Sequence, residues 1–149
     1  MSDDPPSPRV ATSNRQPLPV EEGALAELAR RVLADDGLTA GELSISFVGE
    51  AEMAELHERY LGEPGPTDVL SFPQDDPELL GDVIVCPGVA SRQNRDLAAE
   101  LRLLVTHGTL HILGYDHDDE EERARMWERQ ERHSGVRVPL DAAAHMERA

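Results

Sequence analysis

Several residue types that support common enzyme chemistries are rare or missing in this chain of 149 residues. It contains no lysine, so all fourteen of its basic residues are arginines. The absence of lysine excludes Schiff-base catalysis and a P-loop, since both depend on a lysine side chain. The single cysteine, Cys86, excludes an intrachain disulfide bond and a zinc site built from several cysteines. We expect Cys86 to act as a small core residue.

Long apolar runs and an excess of positive charge are missing as well. Apolar stretches such as Leu103-Leu104-Val105 are much too short to cross a membrane. The acidic N-terminus is unlike the basic start of a signal peptide, so we expect a cytoplasmic protein without membrane partners. The formal net charge is −16, from 30 acidic against 14 basic residues. This charge argues against broad, nonspecific binding to nucleic acid, although it is compatible with a local basic groove.

The order of apolar patterns predicts one α+β domain spanning residues 1–149. Strands are expected at 9–14, 43–48, 68–72 and 81–86. Helices are expected at 20–35, 50–60, 88–95, 96–113 and 118–132. The helix over 96–113 is apolar on nearly all sides, which is typical of a helix buried in the middle of a domain. We therefore expect a small mixed sheet of about four strands, covered by about five helices. Residues 1–19 and 136–149 are expected to be flexible ends.

Three histidines lie within eleven residues of one another. His107 and His111 are four residues apart on a predicted helix, so they share one face with Cβ atoms roughly 6 Å apart. Gly114 then allows the chain to turn, and His117 can return as a third ligand. Because burying three imidazoles without a common partner is costly, the spacing favours a shared metal ion. Three neutral nitrogens with an open fourth position are typical of catalytic zinc, with nickel, copper and iron as chemical alternatives.

The residues between the first two histidines differ from the usual pattern of zinc peptidases. In the H-E-x-x-H pattern the glutamate is the general base, whereas this chain has Gly108 at that position. A peptidase would therefore have to take its base from outside the histidine segment. A metal ion can also activate water for attack on a phosphodiester, where it neutralises the charge that develops on oxygen.

The histidine segment resembles the H-G-x-L-H-L-x-G-Y-D-H signature of the YbeY family, which are bacterial metal-dependent endoribonucleases. Here the segment over 107–117 reads H-G-T-L-H-I-L-G-Y-D-H. Two further blocks agree in order and spacing, P-T-D-V-L-S-F-P at 66–73 and L-G-D-V-I-V-C at 80–86. The resemblance covers about residues 43–132. It implies a single zinc-hydrolase-like α+β domain in which His107, His111 and His117 bind one zinc ion.

The resemblance also implies a substrate and partners. The substrate would be single-stranded RNA, notably the precursor of small-subunit ribosomal RNA, with a further role in ribosome quality control. The small ribosomal subunit or its associated proteins would be partners. Many family members carry an arginine six residues before the threonine of P-T-D-V-L-S-F-P, and this chain has Leu61 there. Arg59 can bind phosphate from two residues earlier, or it is a solvated surface residue.

Three other residues have both a functional and a plainly structural interpretation. Asp116 can accept a hydrogen bond from a ligand histidine, or it begins the last helix. Ser71 lines the substrate cleft or faces solvent on an edge strand. Asp68 lines the same cleft or caps a turn. The remaining histidines have no partner at metal-binding spacing, and we expect them to be surface residues: His57, His133 and His145.

Three hypotheses for function follow from these features. The first is a single-strand-specific, metal-dependent endoribonuclease. The second is a zinc-dependent peptidase or other amide hydrolase, against which Gly108 counts. The third is a non-catalytic ribosome-assembly factor in which the metal only stiffens the fold. Cleavage of RNA that depends on metal separates the first hypothesis from the other two.

Overall fold

The computed structural model describes residues 6–138, and it has four strands and five helices in that range. In chain order they are β1 (Arg9–Arg15), α1 (Glu22–Asp35), β2 (Glu42–Val48), α2 (Glu50–Leu61), β3 (Val69–Pro73), β4 (Leu79–Val85), α3 (Pro87–Gln93), α4 (Leu97–Ile112) and α5 (Glu120–Ser134). The predicted α+β class is confirmed, and so is the first strand within residues 9–14. Flexibility elsewhere in residues 1–19 and 136–149 stays a prediction. Within the described range, no helix is both long and apolar enough to span a bilayer.

The four strands form one mixed sheet in the order β1-β2-β4-β3. β2 runs parallel to both β1 and β4, whereas β3 runs antiparallel to β4 and lies at one edge. At the two ends of the β3–β4 pair, Cys86 N donates to Asp68 O (2.8 Å) and Gln74 N donates to Leu80 O (3.0 Å). Such bonds alternate along an antiparallel pair, so Ser71 directs its peptide N–H and C=O away from β4, toward the free edge.

Helices cover both faces of the sheet. Successive side chains of a strand point to opposite sides, and apolar side chains lie on each face of this sheet. On one face, Val69, Val83 and Val85 join a large core with α1, α4 and α5. On the other face, Leu70 and Cys86 pack with residues of α2. Cys86 is fully buried there, as expected of a small core residue.

Helix α4 is the centre of the core and carries the first two histidines. Its N-cap is Asp96, whose side chain accepts a hydrogen bond from Ala99 N (3.0 Å). From 99 to 110, Arg102 alone is not buried, which agrees with the apolar pattern of the sequence. The chain then turns at Gly114, whose φ of 97° is rarely adopted by residues with a side chain. The turn predicted from this glycine is therefore confirmed.

Two histidines expected at the surface are partly or fully enclosed. His57 is 5% exposed, and its Nδ1 lies 2.8 Å from Gly65 O in the turn after α2. The His133 side chain is 14% exposed, with Nε2 3.3 Å from a carboxylate oxygen of Asp35. The surface prediction is therefore wrong for both, because local sequence spacing does not reveal contacts with distant parts of the chain. His145 lies outside the described residues.

Candidate metal centre

The structure brings together the three histidines that the sequence singles out. Each offers one ring nitrogen to a group in which all three nitrogens lie within 4.8 Å of one another. The Nε2 atoms of His107 and His111 are 3.2 Å apart. The ring of His117 stacks against that of His107, with centroids 6.1 Å apart, and its centroid is 5.1 Å from that of His111. One turn of α4 and the loop after Gly114 therefore form a single cluster of nitrogen donors.

Hydrogen bonds behind two of the rings determine which nitrogen faces the cluster. His107 Nδ1 lies 2.8 Å from Oε1 of Gln130, a residue of α5 that is 1% exposed. His111 Nδ1 lies 3.0 Å from the carbonyl oxygen of Tyr115. Since both oxygens can only accept, each Nδ1 carries the proton and donates it. Both Nε2 atoms are then the unprotonated ring nitrogens, as metal binding requires.

His117 contributes a buried nitrogen to the same cluster. The residue is 8% exposed, and within residues 6–138 its Nε2 has no hydrogen-bond partner. A buried polar atom without a partner is unfavourable, and it is uncommon in folded proteins. A metal ion shared with His107 and His111 would satisfy this atom. Three imidazole donors with a fourth position open match the ligand set of catalytic zinc sites, so the residues fit a metal ion.

The electrostatic surroundings keep His111 in the form that binds metal. Burial lowers the pKa of His111 below the ordinary imidazole value of 6.5, and the nearby His117 lowers it further. Because only the neutral imidazole binds a metal ion, a lowered pKa extends binding to lower pH. Competition from protons at His111 is therefore expected to set in at lower pH than for an ordinary imidazole.

Ser71 and Asp116 both contact the histidine segment. Ser71 Oγ donates to the carbonyl oxygen of Gly108 (3.2 Å). This side chain therefore lies against α4 rather than in solvent; we call α4 the ligand helix because it carries His107 and His111. Asp116 Oδ1 accepts the backbone N–H of His117 (2.7 Å). This bond is the main reason that the pKa of the Asp116 carboxyl is lowered. Asp116 therefore supports the backbone that carries His117.

Asp68 and Arg59 are not drawn into the histidine cluster. Asp68 is 3% exposed, and its Oδ1 accepts the backbone N–H of Val69 (2.8 Å), which matches the structural interpretation as a turn residue. Arg59 has a side chain that is 61% exposed and lies 3.5 Å from a carboxylate oxygen of Glu55. Arg59 and Glu55 are both on α2, which packs on the sheet face opposite α4, whereas Asp68 directly precedes β3.

Sequence reasoning missed three residues that position the ligands. Gln130 accepts from His107, as described above. The ring of Trp127 lies edge-on to His107 and His117, at centroid distances of 5.8 and 6.0 Å. Tyr115 Oη donates to Asp36 (2.7 Å) and so ties the loop after α4 to the end of α1. The sequence did contain a signal for two of them. Gln130 lies three residues after Trp127, so both lie on the apolar face of α5.

Gly108 has a packing role that the sequence did not reveal. A Cβ atom on Gly108 would lie 2.7 Å from Cγ1 of Val83 and 3.1 Å from Oγ of Ser71. Non-bonded carbon atoms prefer separations of about 3.5–4.0 Å, so α4 lies too close to the sheet for any side chain at this position. The glycine is thus explained by close helix–sheet packing. By itself it does not distinguish an RNA substrate from a peptide.

We expect Gln130→Leu to lower the affinity for zinc about 10- to 100-fold, because leucine preserves the volume but removes the acceptor of the His107 proton. Gln130→Glu keeps an acceptor oxygen and should retain most of the affinity. Competition with a chromophoric chelator measures both variants, and Trp127, the chain's one tryptophan, reports occupancy by its fluorescence. Wild-type affinity in a folded Gln130→Leu protein would contradict the role assigned to this residue.

Comparison with known proteins gives a consistent result. The family model described as "Endoribonuclease YbeY" matches residues 11–135. The chain is 43% identical to Endoribonuclease YbeY of Thermobifida fusca, over 79% of this chain and 86% of that protein. It is 46% identical to the protein of the same name from Beutenbergia cavernae, over 79% and 89%. The solution structure of TM1509 from Thermotoga maritima superposes with a TM-score of 0.59 at 26% identity, covering 84% of this chain and 86% of that one.

Proposed function

This chain belongs to the YbeY family of metal-dependent endoribonucleases, and from that premise we propose that His107, His111 and His117 bind the metal ion with which it cuts RNA. The observation that carries the proposal is the convergence of three ring nitrogens within 4.8 Å of one another. The substrate we propose is single-stranded RNA, specifically the precursor of small-subunit ribosomal RNA.

The proposed metal is zinc, because three neutral imidazole donors with one open position are typical of catalytic zinc sites. When bound, the metal would act as a Lewis acid toward the phosphate and would lower the pKa of the attacking hydroxyl group. The protein's own residues hold the donors in place. Gln130 fixes His107 and the Tyr115 carbonyl fixes His111. The Trp127 ring packs against two of the imidazoles and excludes water from that side.

Ser71, Asp116 and Arg59 are proposed to assist in different ways. The Ser71 peptide N–H points to the free edge of the sheet next to the ligand helix, where it can donate to a phosphate oxygen. Asp116 is proposed to orient His117 through its backbone N–H. For Arg59 we propose a phosphate contact outside the metal centre, since its exposed ion pair with Glu55 is weak enough to be exchanged.

The proposed partners are the small ribosomal subunit or proteins bound to it, and the proposed location is the cytoplasm. A net charge of −16 repels RNA at long range, so approach through a partner protein would help the enzyme to reach its substrate. The family relationship does not favour the peptidase or the non-catalytic assembly factor as alternatives.

The experiment that tests this function is metal analysis of the purified protein combined with cleavage of ribosomal RNA precursor. We expect about one zinc ion per chain, cleavage in single-stranded regions, loss of cleavage with a chelator and recovery when zinc is restored. Metal-dependent cleavage of an unstructured peptide would instead support an amide hydrolase. A chelator that lowers the melting temperature of a protein without nuclease activity would support a structural metal.

A further inference from the structure

Apolar side chains are exposed beside the free edge of the sheet. Tyr60 and Leu61, at the end of α2, are 56% and 46% exposed, although aromatic residues make up only 3% of this chain. The Tyr60 ring packs against Phe72 of β3, with centroids 5.0 Å apart and planes at 55°. Because Tyr60 is more than half exposed, much of its ring remains open to solvent. We refer to Tyr60, Leu61 and Phe72 as the edge platform.

The edge platform and the metal centre flank the same edge strand. Phe72 follows Ser71 in β3, and Ser71 Oγ contacts Gly108, the residue after His107. Neighbouring strand residues point to opposite faces, so Phe72 reaches the α2 side while Ser71 reaches the ligand helix. The two features therefore lie on opposite faces of the sheet, on either side of β3. An RNA strand that crosses the free edge of β3 would contact both.

The chemistry of the edge platform suits a nucleic-acid base better than a charged ligand. Aromatic rings stack on bases of any sequence, which is how proteins bind single strands without strong sequence preference. Leu61, the residue after Tyr60, adds a second exposed apolar side chain to the edge platform. The outward peptide N–H of Ser71 lies between the platform and the metal centre, where it can meet the sugar-phosphate backbone.

We propose that Tyr60 stacks on a base of the single-stranded RNA substrate that lies beyond the two nucleotides flanking the cut phosphate, with Leu61 and Phe72 as its apolar support. This inference rests on the proposed nuclease function and adds a binding subsite to it. Stacking of this kind contributes to substrate binding rather than to the chemical step, so it affects KM more than kcat. It also lets the enzyme accept different bases at the subsite.

The test compares zinc-loaded wild-type protein with Tyr60→Ala and Tyr60→Phe on a single-stranded oligouridine. We expect Tyr60→Ala to raise KM about tenfold with kcat changed less than about twofold, and Tyr60→Phe to behave as wild type because it keeps the ring. A uridine dinucleotide is too short to occupy the subsite in addition to the metal centre, so its kcat/KM should be the same for all three proteins. Leu79→Ala is the matched control, since Leu79 is 55% exposed but is not part of the edge platform.

Each outcome of this test has a distinct meaning. An unchanged KM for Tyr60→Ala overturns the subsite while leaving the nuclease function intact. Failure of the wild-type protein to cut the oligouridine contradicts the proposed function instead. Weaker binding of Tyr60→Ala to ribosomal subunits, with an unchanged KM for oligouridine, would mean that the platform docks the subunit rather than a substrate base, and would also overturn the proposal.

A second variant covers the case in which Tyr60→Ala does not fold. Tyr60→Trp preserves an aromatic ring at the surface and adds an exposed fluorophore to the buried Trp127. Saturating oligouridine should quench the new, exposed component of the fluorescence by about half or more, as expected of a ring that stacks on a base. No change relative to the wild-type protein would overturn the stacking proposal.

Discussion

Replacing His111 by alanine is expected to lower both zinc affinity and the rate of RNA cleavage by more than about 100-fold, beyond the loss expected for a supporting residue. The variant removes one of three nitrogen donors and leaves His107 and His117 with a two-nitrogen site. Two protein ligands hold zinc poorly, because catalytic sites of this type use three. The effect should therefore exceed that of Gln130→Leu, which leaves all three donors in place.

The matched control is His133→Ala. His133 is also an imidazole in a partly buried setting, but its Nε2 faces Asp35 rather than the metal centre. This control should change stability modestly and leave zinc content and cleavage near wild-type values. Zinc is measured by elemental analysis and cleavage with ribosomal RNA precursor. A His111→Ala protein with full zinc and full activity would show that the three-histidine site is wrong.

Gly108→Ala is expected to destabilise the protein even though alanine is the better helix former. Alanine gains about 1 kcal/mol over glycine inside a helix. The new Cβ would lie 2.7 Å from Cγ1 of Val83, and both helix and strand are fixed by the surrounding core. Overpacking of this kind costs about 1–3 kcal/mol, so after the helix gain we expect a net loss of up to about 2 kcal/mol in the free energy of unfolding. Urea denaturation measures it.

Two companion variants isolate the cause. Gly23→Ala places the same substitution near the start of α1, where a Cβ would meet nothing within 4 Å, and it should be neutral or stabilising. Val83→Ala removes the clashing methyl groups, so it should rescue much of the Gly108→Ala loss in a double-mutant cycle. Gly108→Ala without destabilisation, or without coupling to Val83, would disprove the packing role.

Gly108→Glu extends the same argument to the peptidase hypothesis. The variant recreates the H-E-x-x-H pattern in the sequence, but the new side chain would point at Val83 and Ser71. A buried carboxylate without room or partners is strongly unfavourable. The close packing of α4 on the sheet therefore leaves no room for the glutamate that a peptidase of this type needs at position 108.

Local patterns in the sequence predicted the elements that depend on local physics. The helical spacing of apolar residues located α4, and the four-residue spacing of His107 and His111 placed both rings on one face. Gly114 marked the turn that returns His117. These features depend on residues close together in the chain, so the spacing of residues in the sequence is enough to predict them.

Contacts between distant segments could not be predicted in the same way. Gln130 meets His107 across 23 positions of sequence, and nothing near either residue specifies the pairing. The placement of β4 between β2 and β3 depends on which strands meet during folding. The burial of His57 depends on the turn after α2 folding back onto it. The tight approach of α4 to Val83 is likewise a property of the assembled core.

The hydrogen bond from His107 to Gln130 also links metal exchange to protein motion. All three ligands and their two hydrogen-bonding supports lie between residues 107 and 130, so the sheet contributes none of them. Local opening that moves α5 away from α4 would break the Gln130 support and expose the imidazoles while the strands stay paired. We therefore expect the lifetime of a metal held by these histidines to follow the opening rate of the last helix, and a tightly bound metal to disfavour that opening in return.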